Sequence, residues 1–363
     1  MISISGPSFR RREPLFGMDI GHSSLKVMQL EAGAGKNKNP MVVCYGSSYR
    51  YAVNSITGGV IVDYKALSEA LHDLFEKRLA GTISTRKVAC TIPMSHSFSR
   101  PLKLPAMDDD DLKQAVHLEA EQYIPVAPEN LYIDYDVVRR DDKNIDILVV
   151  ATPKNIVESY VKFLESMGLE PVALEPTMNA TARIFGMADP ANDQPTVLVD
   201  FGAEATDIAV YDKTLFVNST VQGGSNTMIN LIAQNLGISR EEAFKVKNEE
   251  GLKLSDDLRG IGKAVKPTLD NLLREIHKII RYYDDRVAVG GRKLSQAIMT
   301  GGGTNMPGLS DYLAGELGIP VRMLDPWSKI NFGPLTPPDE LERSMFITVT
   351  GEAVLDMSEV FND

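Results

Sequence analysis

The chain has 363 residues, which is enough for two domains that each bury a core. Hydrophobic residues make up 43% and charged residues 24%, the composition of an ordinary globular protein. The net charge of −11 argues against a general nucleic-acid-binding face, and the short basic run is confined to Arg10, Arg11 and Arg12. We interpret that run as part of a flexible, solvated tail at residues 1–12.

Two cysteines, Cys44 and Cys90, lie in apolar runs that are typical of strands. Neither has the spacing of a metal ligand, so we predict buried free thiols, which fit a reducing compartment. No apolar stretch approaches the roughly 20 residues that a membrane-spanning helix needs. The N-terminus lacks the apolar centre of a signal peptide. We therefore expect a cytoplasmic protein with no direct membrane insertion.

The first elements form a pattern of strand, tight turn and strand. Strands are predicted at 15–20, 25–30 and 41–51, with the first turn at 21–24. Asp63 is placed to cap an amphipathic helix that stops near Gly81, and another strand follows at 87–92.

A small α/β insertion is predicted next. It consists of an edge strand at 97–104, an acid-started helix at 108–124 and strands at 133–138 and 145–151. Its helix is amphipathic, and we expect its apolar residues to pack on the strands: Leu112, Ala115, Val116, Leu118 and Ile124. Pro153 is then predicted at the first position of a helix that Gly168 closes, before a strand at 171–174 and a helix through Ile184.

The second half repeats the opening pattern. A strand at 196–200 ends in an aspartate and is followed by strands at 208–210 and 215–220. Helices are predicted at 225–236, 239–247, around 269–287 and at 307–317, and Ser239 with Glu242 forms a capping box. A strand at 296–300 leads into three glycines, a Pro-rich loop at 331–339 is expected to be mobile, and a last helix covers 344–357. Two similar α/β halves would leave a cleft between them.

The first hairpin has the residues that polyphosphate binding needs. Small residues let backbone N–H groups approach phosphate oxygens, and a lysine on the next strand offsets their charge. The candidates are Gly21, His22, Ser23, Ser24 and Lys26. Asp19 supplies a carboxylate for a hydrated Mg²⁺, an ion that favours one or two carboxylates plus waters.

The second hairpin repeats strand, Asp, Gly and strand, with Asp200, Gly202, Ala203 and Glu204 around the turn. A third segment, Gly301-Gly302-Gly303-Thr304-Asn305, follows a strand and would let a nucleotide pack against bare backbone. Each of the three alone is most often an ordinary turn. Their order and separation together are far more specific.

That order resembles the superfamily of actin, sugar kinases and heat-shock chaperones. The resemblance implies a two-domain, actin-like (ribonuclease H-like) α/β ATPase fold that binds ATP and Mg²⁺ between its domains. It implies catalytic roles for Glu175 and Asp200, metal contacts from Asp19 and Asp200, and an adenosine clamp from Lys245 or Lys247. Gly223 and Gly224 join the nucleotide-binding candidates together with Gly202, Ala203, Glu204, Gly301, Gly302, Gly303 and Asn305.

Within the superfamily, the insertion resembles that of the type IV pilus assembly family PilM. The matching runs are 98–105, 118–125, which ends in Tyr-Ile-Pro, and 149–155, with Asp134 between them. The resemblance implies domain I at 13–190 with a partner-binding insertion at about 94–170, domain II at 191–343, and a C-terminal helix at 344–363 that returns to domain I.

The same resemblance implies a role in the inner-membrane assembly platform of a pilus, or of a related secretion or competence system. Such proteins bind the cytoplasmic N-terminal tail of PilN, a membrane protein, in a groove between domain I and the insertion. His117, Tyr123 and Phe98 are in the right segment, although each could equally belong to the core of the insertion. Pilus motor ATPases are further candidate partners, and nucleic acid is not one. The chain would then lie at the inner membrane through its partners.

Ala203 and Glu204 stand where most of the superfamily has glycines, a departure that PilM-like proteins share. It implies that ATP hydrolysis is slow or absent, and Glu175 can equally be read as a helix cap.

One alternative is a cell-division protein similar to FtsA. The acidic C-terminus argues against that reading, because FtsA-like proteins end in a basic membrane-binding helix. A sugar or acid kinase is the other alternative, but no substrate pocket is recognisable.

Overall fold

A computed structural model describes residues 14–33, 39–49, 51, 53–252, 260–286, 288 and 292–355. The predicted tail at 1–12 and the end of the predicted last helix lie outside them. The strands are β1 (Phe16–Ile20), β2 (Leu25–Glu31), β3 (Met41–Ser48), β4 (Ile56–Thr57), β5 (Val60–Ile61), β6 (Leu79–Gly81), β7 (Lys87–Ile92), β8 (Phe98–Pro105), β9 (Leu131–Arg140), β10 (Asn144–Pro153), β11 (Glu170–Pro176), β12 (Thr196–Phe201), β13 (Ala205–Tyr211), β14 (Leu215–Gln222), β15 (Gln296–Thr300) and β16 (Val321–Met323). The helices are α1 (Tyr64–Lys77), α2 (Asp109–Tyr123), α3 (Lys154–Ser166), α4 (Thr177–Ala188), α5 (Ser225–Leu236), α6 (Arg240–Glu249), α7 (Ile261–Arg286), α8 (Leu309–Leu317), α9 (Glu340–Arg343) and α10 (Ile347–Ala353). None of the helices in the described ranges is long and apolar enough to cross a membrane.

Two large sheets share one topology over five strands, and β6 extends the first sheet at its edge. The first has the order β11-β7-β1-β2-β3-β6 and the second β16-β15-β12-β13-β14. In each, an antiparallel hairpin lies beside parallel strands: β1 pairs with β2 and with β7, and β12 pairs with β13 and with β15. The repeat seen in the sequence is therefore a repeat of the fold. It places two equivalent turns at the corresponding strand ends of the two sheets.

The insertion has its own sheet, in the order β8-β10-β9, with α2 packed on one face. This sheet and α2 occupy only part of the range assigned to the insertion, because α3 packs into the core of the first sheet. Two expectations were wrong. Leu118 is 62% exposed on α2 rather than packed on the strands. Pro153 ends β10 and precedes α3 as its N-cap, because Pro153 has extended backbone angles.

Several local predictions are confirmed. The Asp63 side chain accepts from the Ala66 N–H at the start of α1, and Ser239 and Glu242 form the capping box of α6. Cys44 and Cys90 are buried and free. The Pro-rich segment contains no helix or strand, but Asn331 forms an isolated bridge with Met41, and Phe332 packs edge-to-face on Tyr45 of β3.

A third core joins the two large sheets. It contains Met28 from β2, Leu198 from β12, Met178 and Phe185 from α4, and Phe346 before α10. Helices α4 and α10 cross so closely that a Cβ on Gly351 would lie 2.0 Å from the Ala180 carbonyl oxygen. These two helices thus connect the halves and set the position of one hairpin relative to the other.

This crossing leads to a first prediction. We expect Gly351→Ala to lower the free energy of unfolding by about 1–3 kcal/mol, because the added methyl forces two helices apart in a packed core. Gly315→Ala in α8 is the matched control, since a Cβ there meets nothing within 4 Å. Urea denaturation measures both variants, and equal stability of the two would show that the crossing can relax.

Candidate functional site

The first hairpin holds a buried ion pair at its carboxyl end. Asp19 and Lys26 are direct partners across β1 and β2. The Lys26 ammonium lies 2.5 Å from Asp19 Oδ2, and the Thr91 hydroxyl of β7 donates to Asp19 Oδ1 at 2.8 Å. Both residues are less than a tenth exposed. The structure thus brings the predicted metal-binding carboxylate and the predicted phosphate-binding lysine into direct contact.

The turn of this hairpin is tight but leaves space on one side. The Gly21 N–H donates to the Ser24 carbonyl at 3.0 Å, and the Tyr51 hydroxyl donates to the Gly21 carbonyl. A Cβ on Gly21 would lie 3.9 Å from Lys26 Nζ and 4.0 Å from Ser24 Oγ. His22 and Ser23 are partly exposed at the tip of the turn. A hydroxyl and an ammonium therefore border the same space, and both are groups that can bind a phosphate.

The second hairpin packs on the loop before α5. The Ser225 N–H donates to the Gly202 carbonyl at 2.9 Å and the Asn226 N–H to the Ala203 carbonyl at 2.8 Å. A Cβ on Gly224 would lie 2.5 Å from the Gly202 carbonyl oxygen, so Gly224 permits this close approach. The Gly223 N–H in turn donates to the carbonyl of Glu204.

The side chain of Glu204 is held by the first residues of α5. Its Oε1 accepts from the Asn226 side-chain amide at 2.6 Å, and the Arg240 guanidinium donates to the same amide's oxygen. A carboxylate held in this way is a smaller obstacle to a phosphate than one directed into the turn. The interactions of Glu204 are thus those of a residue that orders the loop before α5.

The two hairpins face each other electrostatically. Burial, then the carboxylates of Asp207 and Asp19, raise the pKa of Asp200 to about 7, while Lys26 lowers it. Asp19 and Lys26 belong to the first hairpin and Asp200 to the second, so charges from both halves act at one place. The described residues contain no group of three or more His, Cys, Asp or Glu side chains positioned to hold a metal. A hydrated Mg²⁺ held by one or two carboxylates and by phosphates is compatible with that arrangement.

The raised pKa predicts a pH dependence of stability. A folded-state pKa above the unfolded value means that the folded protein binds more protons, so stability falls as the pH rises from about 4 to about 7. We expect Asp200→Asn to remove part of this fall and to melt at a higher temperature than the unmodified chain at pH 8. The melting temperatures of both proteins at pH 5 and pH 8 measure this difference. If the melting temperature of the variant depends on pH as that of the unmodified chain does, the pKa of Asp200 is not raised.

The three glycines are required mainly because neighbouring atoms lie too close for a side chain. Gly301 has φ +85°, and a Cβ there would lie 2.4 Å from Asp200 Oδ1. A Cβ on Gly303 would overlap the ring of Phe201, and one on Gly302 would meet Met345 Cγ at 2.9 Å. The glycines therefore hold this loop against the second hairpin, and the Met345 side chain covers Gly302.

A cavity of about 510 Å³ begins next to this loop. Asn305, Thr304, Ser344 and Asn248 are among the residues that line it. Asn248 follows Lys247, which is fully buried and donates to the Asn248 side-chain oxygen at 2.8 Å. Burial lowers the pKa of Lys247 to about 8.

Lys245, by contrast, is exposed and pairs with Glu241 at 3.3 Å. Of the two adenosine-clamp candidates, only Lys247 contacts a residue that lines the cavity.

Glu175 makes strong interactions outside the hairpins. Its two carboxylate oxygens face the two terminal nitrogens of Arg183, with Nη2 donating to Oε2 at 2.7 Å. Arg183 also donates to the Gly351 carbonyl at 2.9 Å. Burial and the nearby Glu175 raise the pKa of Glu352 on α10. Glu175 therefore contributes to the junction of α4 and α10, and its suggested catalytic role remains a prediction.

Sequence reasoning missed Asp207, Thr177 and Thr220. Asp207 is the direct partner of Asp200 across β12 and β13. Its position could have been found by counting outward from the turn, because residues equally far from a hairpin turn lie opposite each other.

The insertion exposes several large apolar side chains. Tyr132, Val137 and Val138 of β9 are 49%, 46% and 40% exposed, and Tyr123 at the end of α2 is 47% exposed. The Arg100 guanidinium lies 3.7 Å from the Tyr123 ring centroid. His117 is exposed and Phe98 is half-buried, so neither His117 nor Tyr123 belongs to the core of the insertion.

Tyr132 lies where β9 meets α3, a helix that packs into the core of the first sheet. The Lys154 ammonium, at the start of α3, is 5.6 Å from the Tyr132 ring centroid. Strand β9 is an edge of its sheet, and residues 132, 134 and 136 alternate toward one exposed face. This part of β9 and the start of α3 form a surface that we call the β9 edge.

Two facing hairpins in a repeated α/β fold define the class of protein. The fold is that of actin-like ATPases, and it is shared at a TM-score of 0.55 with the ethanolamine utilization protein EutJ from Carboxydothermus hydrogenoformans, at 17% identity over 94% of this chain and 89% of that one. MreB5 of Spiroplasma citri, in a structure bound to AMPPNP, is similar at a TM-score of 0.53 and 13% identity, with 93% of this chain and 94% of that one covered.

A family model narrows the class. The model described as type IV pilus assembly protein PilM matches residues 17–354, and the chain belongs to this family. A solved PilM-PilN type IV pilus biogenesis complex contains a similar chain, at a TM-score of 0.79 and 21% identity over 94% of this chain and 98% of that one. The chain is thus an actin-like component of type IV pilus assembly.

Proposed function

We propose that the chain binds ATP with Mg²⁺ between the two hairpins, and that in this state it captures the N-terminal tail of a PilN-like membrane protein on its insertion. The observation that carries the nucleotide part is the meeting of Asp19, Lys26 and Asp200 at the facing ends of two equivalent hairpins. The nucleotide-bound MreB5 structure supports it at the level of fold.

The proposed roles within the site follow from charge and space. Lys26 and the turn around Gly21 hold phosphates, Asp19 and Asp200 hold the hydrated metal, and the cavity beside Asn305 receives the base end. When bound, Mg²⁺ neutralises phosphate charge next to the two carboxylates. Because Glu175 is paired with Arg183, we expect ATP hydrolysis to be slow.

Lys26 provides the test of the nucleotide part. We expect Lys26→Ala to weaken ATP binding at least about tenfold, or about 1.4 kcal/mol, and to leave adenosine binding unchanged, because only ATP loses a charged partner. Isothermal titration calorimetry with both ligands measures the difference. Lys65→Ala removes a lysine that is 87% exposed and is the matched control. Equal losses for both ligands would assign Lys26 a structural role through its ion pair with Asp19.

The partner part rests on the family and on the exposed β9 edge. The similar PilM chain was solved in a complex with PilN, and the β9 edge offers unpaired backbone beside an aromatic ring at the junction with domain I. An extended tail can add to such an edge through main-chain hydrogen bonds. Binding to a membrane protein would bring the chain to the inner membrane.

A further inference from the structure

Glu175 lies in a row of polar side chains that crosses the first sheet toward its hairpin. It is the direct partner of Thr91 on β7, and side chains of paired residues point to the same face of a sheet. The Thr91 hydroxyl donates to the Asp19 carboxylate on β1 at 2.8 Å. Neighbouring strands lie about 4.8 Å apart, which places β11 about 10 Å from β1. Glu175 is therefore near the proposed nucleotide site without belonging to either hairpin.

Arg183 of α4 holds the Glu175 carboxylate in a two-point pair. Its Nη2 donates to Oε2 at 2.7 Å and its Nη1 donates to Oε1. The same Nη1 donates to the Gly351 carbonyl of α10 at 2.9 Å. A two-point pair of guanidinium and carboxylate fixes direction as well as distance. The Glu175 carboxylate is thus fixed by a group that two helices position, and it is directed to that group instead of to a water in the cleft.

Glu352, the residue after Gly351, is a buried carboxyl group without a partner. It is 0% exposed, and neither of its oxygens has a hydrogen-bond partner in the part of the chain that the structure describes. Its helix packs on β1, since a Cβ on Gly17 would lie 2.8 Å from Glu352 Cβ. Burial, then the charge of Glu175, raises the pKa of Glu352, and Arg183 lowers that pKa. Buried polar groups are almost always hydrogen-bonded, so this carboxyl group requires an explanation.

The position of Glu352 makes it a second acceptor for Arg183. Arg183 already contacts α10 at Gly351, so the alternative acceptor is next in the chain to a present one. Helices α4 and α10 cross where the two halves join, and Gly351 packs directly on Ala180 there. A small shift of α10 along α4 would therefore change which of the two glutamates faces the guanidinium.

We propose that Arg183 is an autoinhibitory positioning residue: paired with Glu175, as here, it keeps that carboxylate from the bound nucleotide, and it releases Glu175 by pairing with Glu352 instead. In this exchange, Glu352 gives its proton to water and becomes the anion that balances Arg183. The released Glu175 orients the water that attacks the terminal phosphate, and ADP and inorganic phosphate result. The inference rests on the proposed ATP binding and deepens it, because it names the contact that restrains hydrolysis and the helix whose movement relieves the restraint.

The test measures ATP hydrolysis by the full chain at saturating ATP and Mg²⁺. Arg183→Gln removes the cation, and we expect kcat to rise about tenfold or more, because a positioned carboxylate typically contributes at least that much. ATP affinity, measured by calorimetry, should not change, since the hairpins are intact. Adding Glu175→Gln to Arg183→Gln should return kcat to that of the unmodified chain. Glu352→Gln keeps the shape but cannot balance Arg183, so it should lower kcat.

A second variant guards against unfolding. Removing one partner of a buried ion pair destabilises a protein, whereas Arg183→Lys keeps the charge and loses only the two-point geometry. It should raise kcat by less than Arg183→Gln does, and melting temperatures show that each variant is folded. Arg322→Gln is the matched control, because Arg322 forms a partly exposed pair with Asp189 at 2.8 Å, and it should leave kcat unchanged.

The outcomes separate this inference from the proposed ATP binding. Folded Arg183 variants that bind ATP and hydrolyse it at the rate of the unmodified chain would overturn the inference alone. An increase that persists when Glu175→Gln is added would also overturn it, because a group other than Glu175 would then be responsible. If the unmodified chain binds no nucleotide, both proposals fail.

Discussion

Replacing Gly21 with valine should abolish ATP binding and leave the protein folded. The atoms nearest to a Cβ at Gly21 are the Ser24 carbonyl oxygen at 3.4 Å, Lys26 Nζ at 3.9 Å and Ser24 Oγ at 4.0 Å, which are ordinary contact distances, so the structure has room for the Cβ. The valine methyl groups would then extend into the space that the turn and Lys26 offer to phosphates. We expect ATP affinity to fall at least about a hundredfold, or about 2.7 kcal/mol, in calorimetric titrations.

Adenosine distinguishes a blocked phosphate end from a damaged fold. Because it has no phosphates, it should bind Gly21→Val as it binds the unmodified chain. Gly315→Val, a substitution into open space on α8, should leave both ligands unaffected. An unchanged ATP affinity in Gly21→Val would show that phosphates do not enter the turn.

Gly302→Val is a weaker test of the same site. Its Cβ would collide with Met345 at 2.9 Å, so any loss of binding could come from displacement of that side chain. The bare-backbone interpretation of the triple glycine treated all three glycines as one open surface. Packing against Asp200, Met345 and Phe201 depends on contacts far apart in the sequence, and the sequence of the loop does not reveal it.

Most of the fold could be predicted because its signals are local. The strands on both sides of each hairpin, the caps at Asp63 and Ser239, and the triple glycine after β15 all come from short runs of residues. Leu118 shows the limit of such reasoning. An apolar residue on a helix predicts burial only if the neighbouring strands reach its face, and here they cover Leu112 and Val116 instead.

The candidate site could be predicted only in part for the same reason. Asp19, Lys26 and Asp200 were found because a hairpin turn between two apolar runs is recognisable in the sequence itself. Asp207 was not, because its importance comes from lying opposite Asp200 and from donors on α4 and β14. Likewise, the pairing of Glu175 with Arg183 follows from helix α4 folding back toward β11, which the motif around Glu175 does not specify.

Partner capture should depend on Tyr132 and not on Leu118. Both are large exposed apolar residues of the insertion, at 49% and 62% exposure, but Tyr132 lies on the β9 edge beside Lys154 and Leu118 lies on α2. A buried aromatic anchor typically contributes more than 1–2 kcal/mol to binding, so we expect Tyr132→Ser to weaken the tail peptide about tenfold or more. Leu118→Ser should bind it normally.

Point variants test partner binding more directly than removal of the insertion. Leu148 of β10 belongs to the core that joins the two large sheets, and the Asn218 side chain of β14 donates to the Ser99 carbonyl of β8 at 3.4 Å. Deleting residues 94–151 would open that core, so loss of binding could reflect unfolding. Single substitutions at exposed positions leave it intact.

The measurement is fluorescence anisotropy of a labelled synthetic peptide that carries a PilN-type cytoplasmic tail, at two salt concentrations. Asp134→Asn with Asp136→Asn tests for a basic residue in the tail, because those exposed carboxylates follow Tyr132 along the same face. Their loss should weaken binding mainly at low salt.

A register shift in the pairing of β9 with β10 lies near Val138, so strand addition should end before it. Normal binding by Tyr132→Ser together with loss in Leu118→Ser would place the tail on α2 instead.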